Sequence, residues 1–65
     1  MDEILTIPQV AQYLKISKSK AYYLVKQRKI PYIRIGRNVR IRAADLEKWI
    51  ERNLVAEDQF RASLY

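Results

Sequence analysis

The stretch "TIPQVAQYLKISKSKAYYLVKQRKIP", residues 6–31, decides the fold. It opens on a helix-start signature: Thr6 can cap, Pro8 suits a first turn, and Gln9 follows Thr6 at the spacing of a capping box. Val10, Ala11 and Leu14 then recur at helical intervals, which predicts a helix over about residues 7–15. Ser17 is a good N-cap for a second helix over about residues 18–28. In that helix Ala21, Leu24 and Val25 form an inward stripe, and Lys20, Tyr23 and Gln27 take the opposite face, flanked by Ser19 and Lys26. Adjacent residues diverge on a helix, so Tyr22 is expected at the edge of the core and Tyr23 on the outer face. Pro31 closes the segment, because it disfavours helical geometry at Ile30.

Downstream, "YIRIGRNVRI", residues 32–41, changes period from helical to two. Tyr32–Ile35 and Val39–Arg42 read as two strands, joined by a three-residue loop of Gly36, Arg37 and Asn38. Gly36 or Asn38 can take the left-handed conformation such a loop needs. In that register Ile35 faces Val39 and Ile33 faces Ile41, so the four apolar residues share one side. Arg34, Arg40 and Arg42 then share the other, with Arg37 at the tip. A third helix is expected over about residues 43–54 in "AADLEKWIERNL", with Leu46, Trp49 and Ile50 as its buried stripe. Asp45 and Glu47, placed in its first turn, complement the helix dipole. The segment from Val55 to Tyr65 has weak periodicity; it is open to reading as a helix extension, as a fold-back through Phe60 and Leu64, or as disordered.

Length allows one domain, assigned to residues 1–54 with a tail at 55–65. A fold of this size buries only about 60% of its unfolded surface, so its stability margin is thin. With no Cys and no His, neither disulfides nor a Cys/His metal site can staple it, which leaves a helical core. No metal or other cofactor is expected. No apolar run is long enough to span a bilayer, and no signal-peptide pattern opens the chain, so a cytoplasmic location is expected.

The net charge is +6, and its distribution is more informative than its size. No acidic residue lies between Ile4 and Ala44, while Lys15, Lys18, Lys20, Lys26, Arg28, Lys29, Arg34, Arg37, Arg40 and Arg42 all do. Asp2 and Glu3 precede that span, and the other acids follow it. Such segregation gives one surface a strongly positive potential and points to a polyanion, either nucleic acid or an anionic membrane.

Two short helices joined by a tight turn, the second basic outside and apolar inside, make a helix-turn-helix. A basic hairpin directly after the second helix makes a wing. The expected fold is therefore mainly α with a small β-hairpin: three helices and a two-stranded wing between helices two and three. A helix fits the major groove of B-DNA, and an arginine-bearing ribbon can follow the neighbouring backbone or enter the minor groove. The competing bland reading is that any small helical fold exposes basic faces. Against it stand the clustering of the charges on consecutive elements and the absence of acids there.

In this order and spacing, "LTIPQVAQYL", "ISKSKAYYLVKQRKIP", "IRIGRNVRI" and "DLEKWI" resemble the excisionase-like winged helix-turn-helix domains, which are related to MerR-type regulators. The resemblance covers about residues 4–53, most of the chain. It implies a double-stranded DNA-binding module of the kind found in recombination directionality factors of mobile elements and in small transcription regulators. It further implies bending of the duplex, assistance to a site-specific recombinase (an integrase), and additional copies bound side by side. The exposed N-terminal part of helix two is where this family reads DNA. On that reading Ser19, Lys20 and Tyr23 meet base edges and phosphates, Lys18 meets phosphate, and Ser17, Lys26 and Gln27 are further contacts. Arg34, Arg37, Asn38 and Arg40 are the wing candidates, with Arg37 the best placed for a minor groove; Arg42 either contacts phosphate or caps a surface. Such domains often carry glycine where this chain has Lys15 and Lys29, so either lysine is a candidate for a left-handed backbone.

Other classes fit less well. A membrane-surface module would need an exposed apolar face, whereas the apolar positions here are required for the core. A protein-interaction module draws on the same positions. RNA recognition would want exposed aromatic platforms. An enzyme is not expected: without His or Cys no catalytic constellation can be drawn, and Glu47 and Glu51 read as a solvated face.

Overall fold

The computed structural model describes residues 3–55. It contains three helices and a small antiparallel sheet: β1 (Ile4–Leu5), α1 (Ile7–Leu14), α2 (Lys18–Lys26), β2 (Ile33–Ile35), β3 (Asn38–Arg42) and α3 (Ala43–Arg52). This is the mainly α, winged helix-turn-helix architecture expected from the sequence. The tail reading, with Phe60 and Leu64, lies outside the described residues except for Val55.

Local chemistry sets the helix bounds. Thr6 Oγ1 accepts from the Gln9 N–H at 3.2 Å and Gln9 Oε1 accepts from the Thr6 N–H at 2.9 Å, completing the capping box. Ser17 Oγ accepts from the Lys20 N–H at 3.0 Å and caps α2. Both helices end in the same way. The N–H groups of Lys15 and Ile16 donate to the carbonyls of Gln12 and Ala11, and those of Arg28 and Lys29 donate to Val25 and Leu24. These paired bonds are Schellman motifs, whose C′ residue must be left-handed; Lys15 has φ 60° and Arg28 has φ 58°. The left-handed backbone expected at Lys15 is therefore present. The second one falls on Arg28 rather than Lys29, because α2 stops at Lys26 and its closing turn is complete one residue earlier.

The core consists of Ile7, Val10, Ala11, Ala21, Ile30, Ile41 and Leu46. Two buried alanines, Ala11 on α1 and Ala21 on α2, let those helices approach closely. Leu14, Ile16, Leu24, Val25, Trp49 and Ile50 pack around them, half-buried. Trp49 also donates its Nε1–H to the Lys29 carbonyl at 2.7 Å, tying α3 to the chain just after α2. Of the two acids assigned to the first turn of α3, only Asp45 is there; Glu47 lies one turn on.

The sheet corrects the sequence reading in two ways. It has three strands in the order β1-β3-β2, with Ile4 opposite Arg42 and Leu5 opposite Ile41. The Ala43 N–H continues the ladder to the Glu3 carbonyl at 2.8 Å. The hairpin register also differs by one residue. Ile35 pairs with Asn38, Arg34 with Val39 and Ile33 with Arg40, so the loop is Gly36–Arg37 alone and Asn38 begins β3. Gly36 has φ 60° and Arg37 does not, the sign pattern of a type II′ turn, whose twist suits a two-residue hairpin. A one-residue slip moves a strand's side chains to the opposite face relative to its partner. The inner face therefore carries Leu5, Tyr32, Arg34, Val39 and Ile41, and the outer face mixes Ile4, Ile33 and Ile35 with Arg40 and Arg42. The expected division into an apolar side and a cationic side does not hold; Ile35 is 54% exposed.

Candidate nucleic-acid interface

The exposed side of α2 gathers most of the residues expected there. Lys18, Ser19, Lys20, Tyr23, Lys26 and Gln27 are all exposed, and Ala21, Leu24 and Val25 turn inward. At 100° per residue, Ser19, Tyr23 and Lys26 lie at the centre of the outward arc. Lys18 and Lys20 flank it. Lys20 Nζ sits 5.7 Å from the centre of the Tyr23 ring, a cation–π contact that draws the ammonium and the phenol together. Ser17 is exposed too, but its oxygen is engaged as the helix cap, so it serves the interface first by holding the α2 N-terminus open to solvent.

Tyr22 is where the reading of α2 fails. Expected at the core edge, it is 51% exposed, slightly more than Tyr23 at 47%. Ala21 and Val25 fill the space between α2 and its neighbours, so Tyr22 is turned out beside Lys18 and Lys26, its neighbours at i−4 and i+4. A wheel centred on the small buried Ala21, rather than on the larger apolar residues, would have placed it there.

The wing presents its arginines less uniformly. Arg34, Arg37 and Asn38 are exposed. Arg37 occupies the second position of the turn, at the tip, as expected. Arg40 is half-buried on the outer face and its Nη1 donates to the Val39 carbonyl at 2.8 Å. Arg42 makes a two-pronged bond to Asp45, Nε to Oδ2 at 2.7 Å and Nη2 to Oδ1 at 3.0 Å. It braces β3 against the first turn of α3, the surface-capping alternative for this residue. The hydrogen bond from Arg42 holds the Asp45 carboxyl below its ordinary range, against the opposing effect of burial.

Arg34 points to the helix side of the sheet. Its guanidinium carbon lies 6.0 Å from the centre of the Tyr32 ring. A hydrogen bond from Arg34 is the main influence lowering the Tyr32 phenol from its ordinary value; desolvation opposes it, and the charge and hydrogen bonding of Arg28 add to it. Arg28, not singled out in the sequence as an interface residue, lies between α2 and β2, and its charge acts on the Tyr32 phenol. Its signal was faint: one cation among several, at a position where a left-handed turn favours glycine.

With this geometry in place, comparison with known proteins identifies the class. A family model described as "Helix-turn-helix domain" matches residues 4–54. The chain belongs to the helix-turn-helix domain family. The match takes in every element from β1 to α3. Two relatives are "Putative DNA-binding protein Rv0500A" of Mycobacterium tuberculosis strain H37Rv and "Putative DNA-binding protein MT0521" of strain CDC 1551. Each is 33% identical over 49 residues, 75% of this chain and 63% of the relative. The chain therefore aligns with less than two thirds of their length. No solved structure gives a significant match. Among the described residues, no helix is long and apolar enough to cross a membrane.

Proposed function

We propose that this helix-turn-helix chain binds double-stranded DNA sequence-specifically, with α2 in the major groove and the β2–β3 wing against the adjoining backbone or minor groove. The observation that carries this reading is the outer face of α2: Lys18, Ser19, Lys20, Tyr23, Lys26 and Gln27 exposed together. That face lies in a span, Ile4 to Ala44, that contains no carboxylate side chain. In a phosphate-rich groove such a face has donors for backbone oxygens and base edges and nothing to repel them. The names of the two mycobacterial relatives point the same way.

Within DNA binding, the resemblance in motif order supports an excisionase-type architectural role, related to MerR-type modules. The chain would bend its site and assist an integrase-class recombinase in excising a mobile element, as a binding protein rather than an enzyme. Residues 1–54 would be the DNA-binding module, and the 55–65 tail would contact the recombinase or a neighbouring copy. A cytoplasmic, nucleoid-associated location goes with that role. A small transcription regulator would use the same contacts and is the second reading.

Selection of bound duplexes from a random pool, at two salt concentrations, tests the proposal. A defined site should emerge, and affinity should fall with salt at a log–log slope of about −0.9 per phosphate contacted. Arg37→Ala should reduce that slope by about one while leaving the folding transition in place. Recovery of no preferred site, with equal binding to all duplexes, would reject sequence-specific recognition. Circular-permutation gel shifts on the selected site would show a bend for the architectural role and none for a simple operator binder.

A further inference from the structure

Three elements other than α2 and the β2–β3 wing enclose one groove. β1 brings Glu3 and Leu5 to it, two residues apart and so on the same side of the strand. α3 brings Ala43, Leu46 and Glu47, which share one helix face at i, i+3 and i+4. Tyr13, near the end of α1, closes the third side. The Ala43 N–H donates to the Glu3 carbonyl at 2.8 Å, so the strand and the helix are joined where the groove begins. A second, more open hollow shares Glu3, Leu5 and Tyr13 and continues along α1 past Gln9 and Gln12.

The lining is apolar below and acidic above. Leu46 is buried, Leu5 and Ala43 are half-buried, and Tyr13 is 61% exposed. Glu3 and Glu47 are exposed, and among the described residues neither carboxylate has an ion pair or a side-chain hydrogen bond. No lysine or arginine lines either hollow.

Size and charge together narrow the occupant. The enclosed part measures about 160 Å³, below the roughly 300–1,000 Å³ of a small-molecule pocket, so it suits a single side chain. Two carboxylates without a counter-charge repel phosphate and attract a cation. Arginine meets both conditions. Its methylene stem can lie on Leu5 and Leu46, its fork of donors matches a carboxylate, and its flat face can stack on the Tyr13 ring.

We propose that this groove docks an arginine-bearing segment of a partner protein, on elements that take no part in the proposed DNA contacts. The guanidinium sits between Glu3, Glu47 and Tyr13, and a neighbouring apolar residue of the segment lies in the open hollow along α1. The charge segregation seen in the sequence then has two uses: the basic span faces nucleic acid, and acids on either side of it receive a basic protein.

The probe is a random dodecapeptide library displayed on phage, selected on the full chain in the absence of DNA, followed by anisotropy measurements with the synthetic consensus peptide. A consensus holding an arginine beside an apolar residue is expected. Glu3→Gln and Glu47→Gln should each weaken that peptide by about tenfold, the loss of one charge-assisted hydrogen bond. Tyr13→Ala should weaken it by about threefold. All three side chains are exposed, so the melting temperatures should match the parent chain, and duplex affinity should be equal or slightly higher. A consensus without a cation, or no consensus, would overturn the proposal. So would parent-like peptide affinity in the Glu3→Gln, Glu47→Gln double variant. A peptide that bound equally well with lysine in place of arginine would reject the stacked guanidinium. Self-association of the chain that disappears in Glu47→Gln would assign the groove to a second copy and reject the partner protein. Because peptide binding is measured without a duplex, failure here is distinct from failure of the DNA-binding reading.

Discussion

Helix α2 and the β2–β3 wing are both basic and exposed, yet they present their charge in different ways. On α2, among the described residues, the cations are oriented by the helix, and only Lys20 has a side-chain contact, with the Tyr23 ring at 5.7 Å. Among the described residues none of Lys18, Lys20 or Lys26 joins an ion pair, and their direction follows from the rotation per residue. On the wing, most arginines are already engaged: Arg34 with Tyr32, Arg40 with the Val39 carbonyl, and Arg42 with Asp45. Among the described residues, Arg37, at the tip, is the wing arginine with no such contact. The two elements therefore differ in what binding requires. α2 offers exposed lysines without an ionic partner among the described residues, whereas three of the wing arginines have positions that the fold has set beforehand, which lowers the ordering cost on contact.

Both elements depend on one tether, and the largest effect should come from cutting it. Trp49 packs on the core from α3 and reaches Lys29, at the start of the connection from α2 to the wing. Trp49→Ala should cost about 3–5 kcal/mol, close to the whole margin of a domain this small, and leave the chain unfolded or nearly so at 37 °C. Trp49→Phe should retain the packing and lose only the indole hydrogen bond, about 1 kcal/mol. Chemical denaturation of the three chains checks the ordering. If Trp49→Ala melted like the parent chain, the joint would be held by other contacts.

The second test separates the two elements by what they read. Lys20→Ala and Tyr23→Ala remove a coupled pair from α2 and should alter which site is selected, with about 1–3 kcal/mol lost in discrimination at one or two base positions. Wing variants such as Arg37→Ala should weaken all duplexes more evenly. If α2 variants lowered affinity without changing the selected site, the division of labour would be wrong and α2 would be a backbone contact only.

The same contrast explains what could be read in the sequence. α1, α2 and α3 were legible because their signals are local: a capping box at Thr6 and Gln9, a cap at Ser17, and inward stripes at helical spacing. The outward arc of α2 followed, Tyr22 excepted. The wing was legible as a hairpin, but its register was not. Read from the sequence, the loop has three residues, Gly36, Arg37 and Asn38, because both Gly36 and Asn38 tolerate positive φ; the pairing of Ile35 with Asn38 shortens it to two. β1 is two residues long, too short to show alternation, and exists because β3 offers it an edge. The left-handed turn at Arg28 and the placing of Arg34 beside the Tyr32 ring depend on the closing turn of α2 and the register of β2, neither of which local pattern specifies.

A smaller effect probes the turn itself. A Cβ at Gly36 would meet nothing within 4 Å, so Gly36→Ala carries no clash and isolates the backbone term at φ 60°. It should destabilise by about 1–2 kcal/mol, the ordinary cost of a left-handed L-residue, with the α2 sequence preference unchanged. Arg28→Gly moves the same term in the opposite direction, so the two variants should shift the melting temperature with opposite signs.

The smallest effect concerns acid. Asp45 sits in the first turn of α3 and accepts two hydrogen bonds from Arg42, which hold its carboxyl below the ordinary value. A carboxyl depressed in the folded state binds its proton more readily when unfolded, so between the two titrations the unfolded chain takes up protons and stability falls as pH falls. The contribution is present in full above the usual carboxylate range, near pH 4, and disappears as pH drops through the folded value. Asp45→Asn removes the titration. At pH 7 it should be marginally less stable than the parent chain, because the charge-assisted pair and the favourable charge near the helix N-terminus both go. Towards pH 2 the two melting curves should converge, since the parent carboxyl is then protonated as well. Curves separated by a constant gap from pH 7 to pH 2 would show that Asp45 stabilises α3 through its shape and not its charge, and that the wing's last arginine is held by something other than this carboxylate.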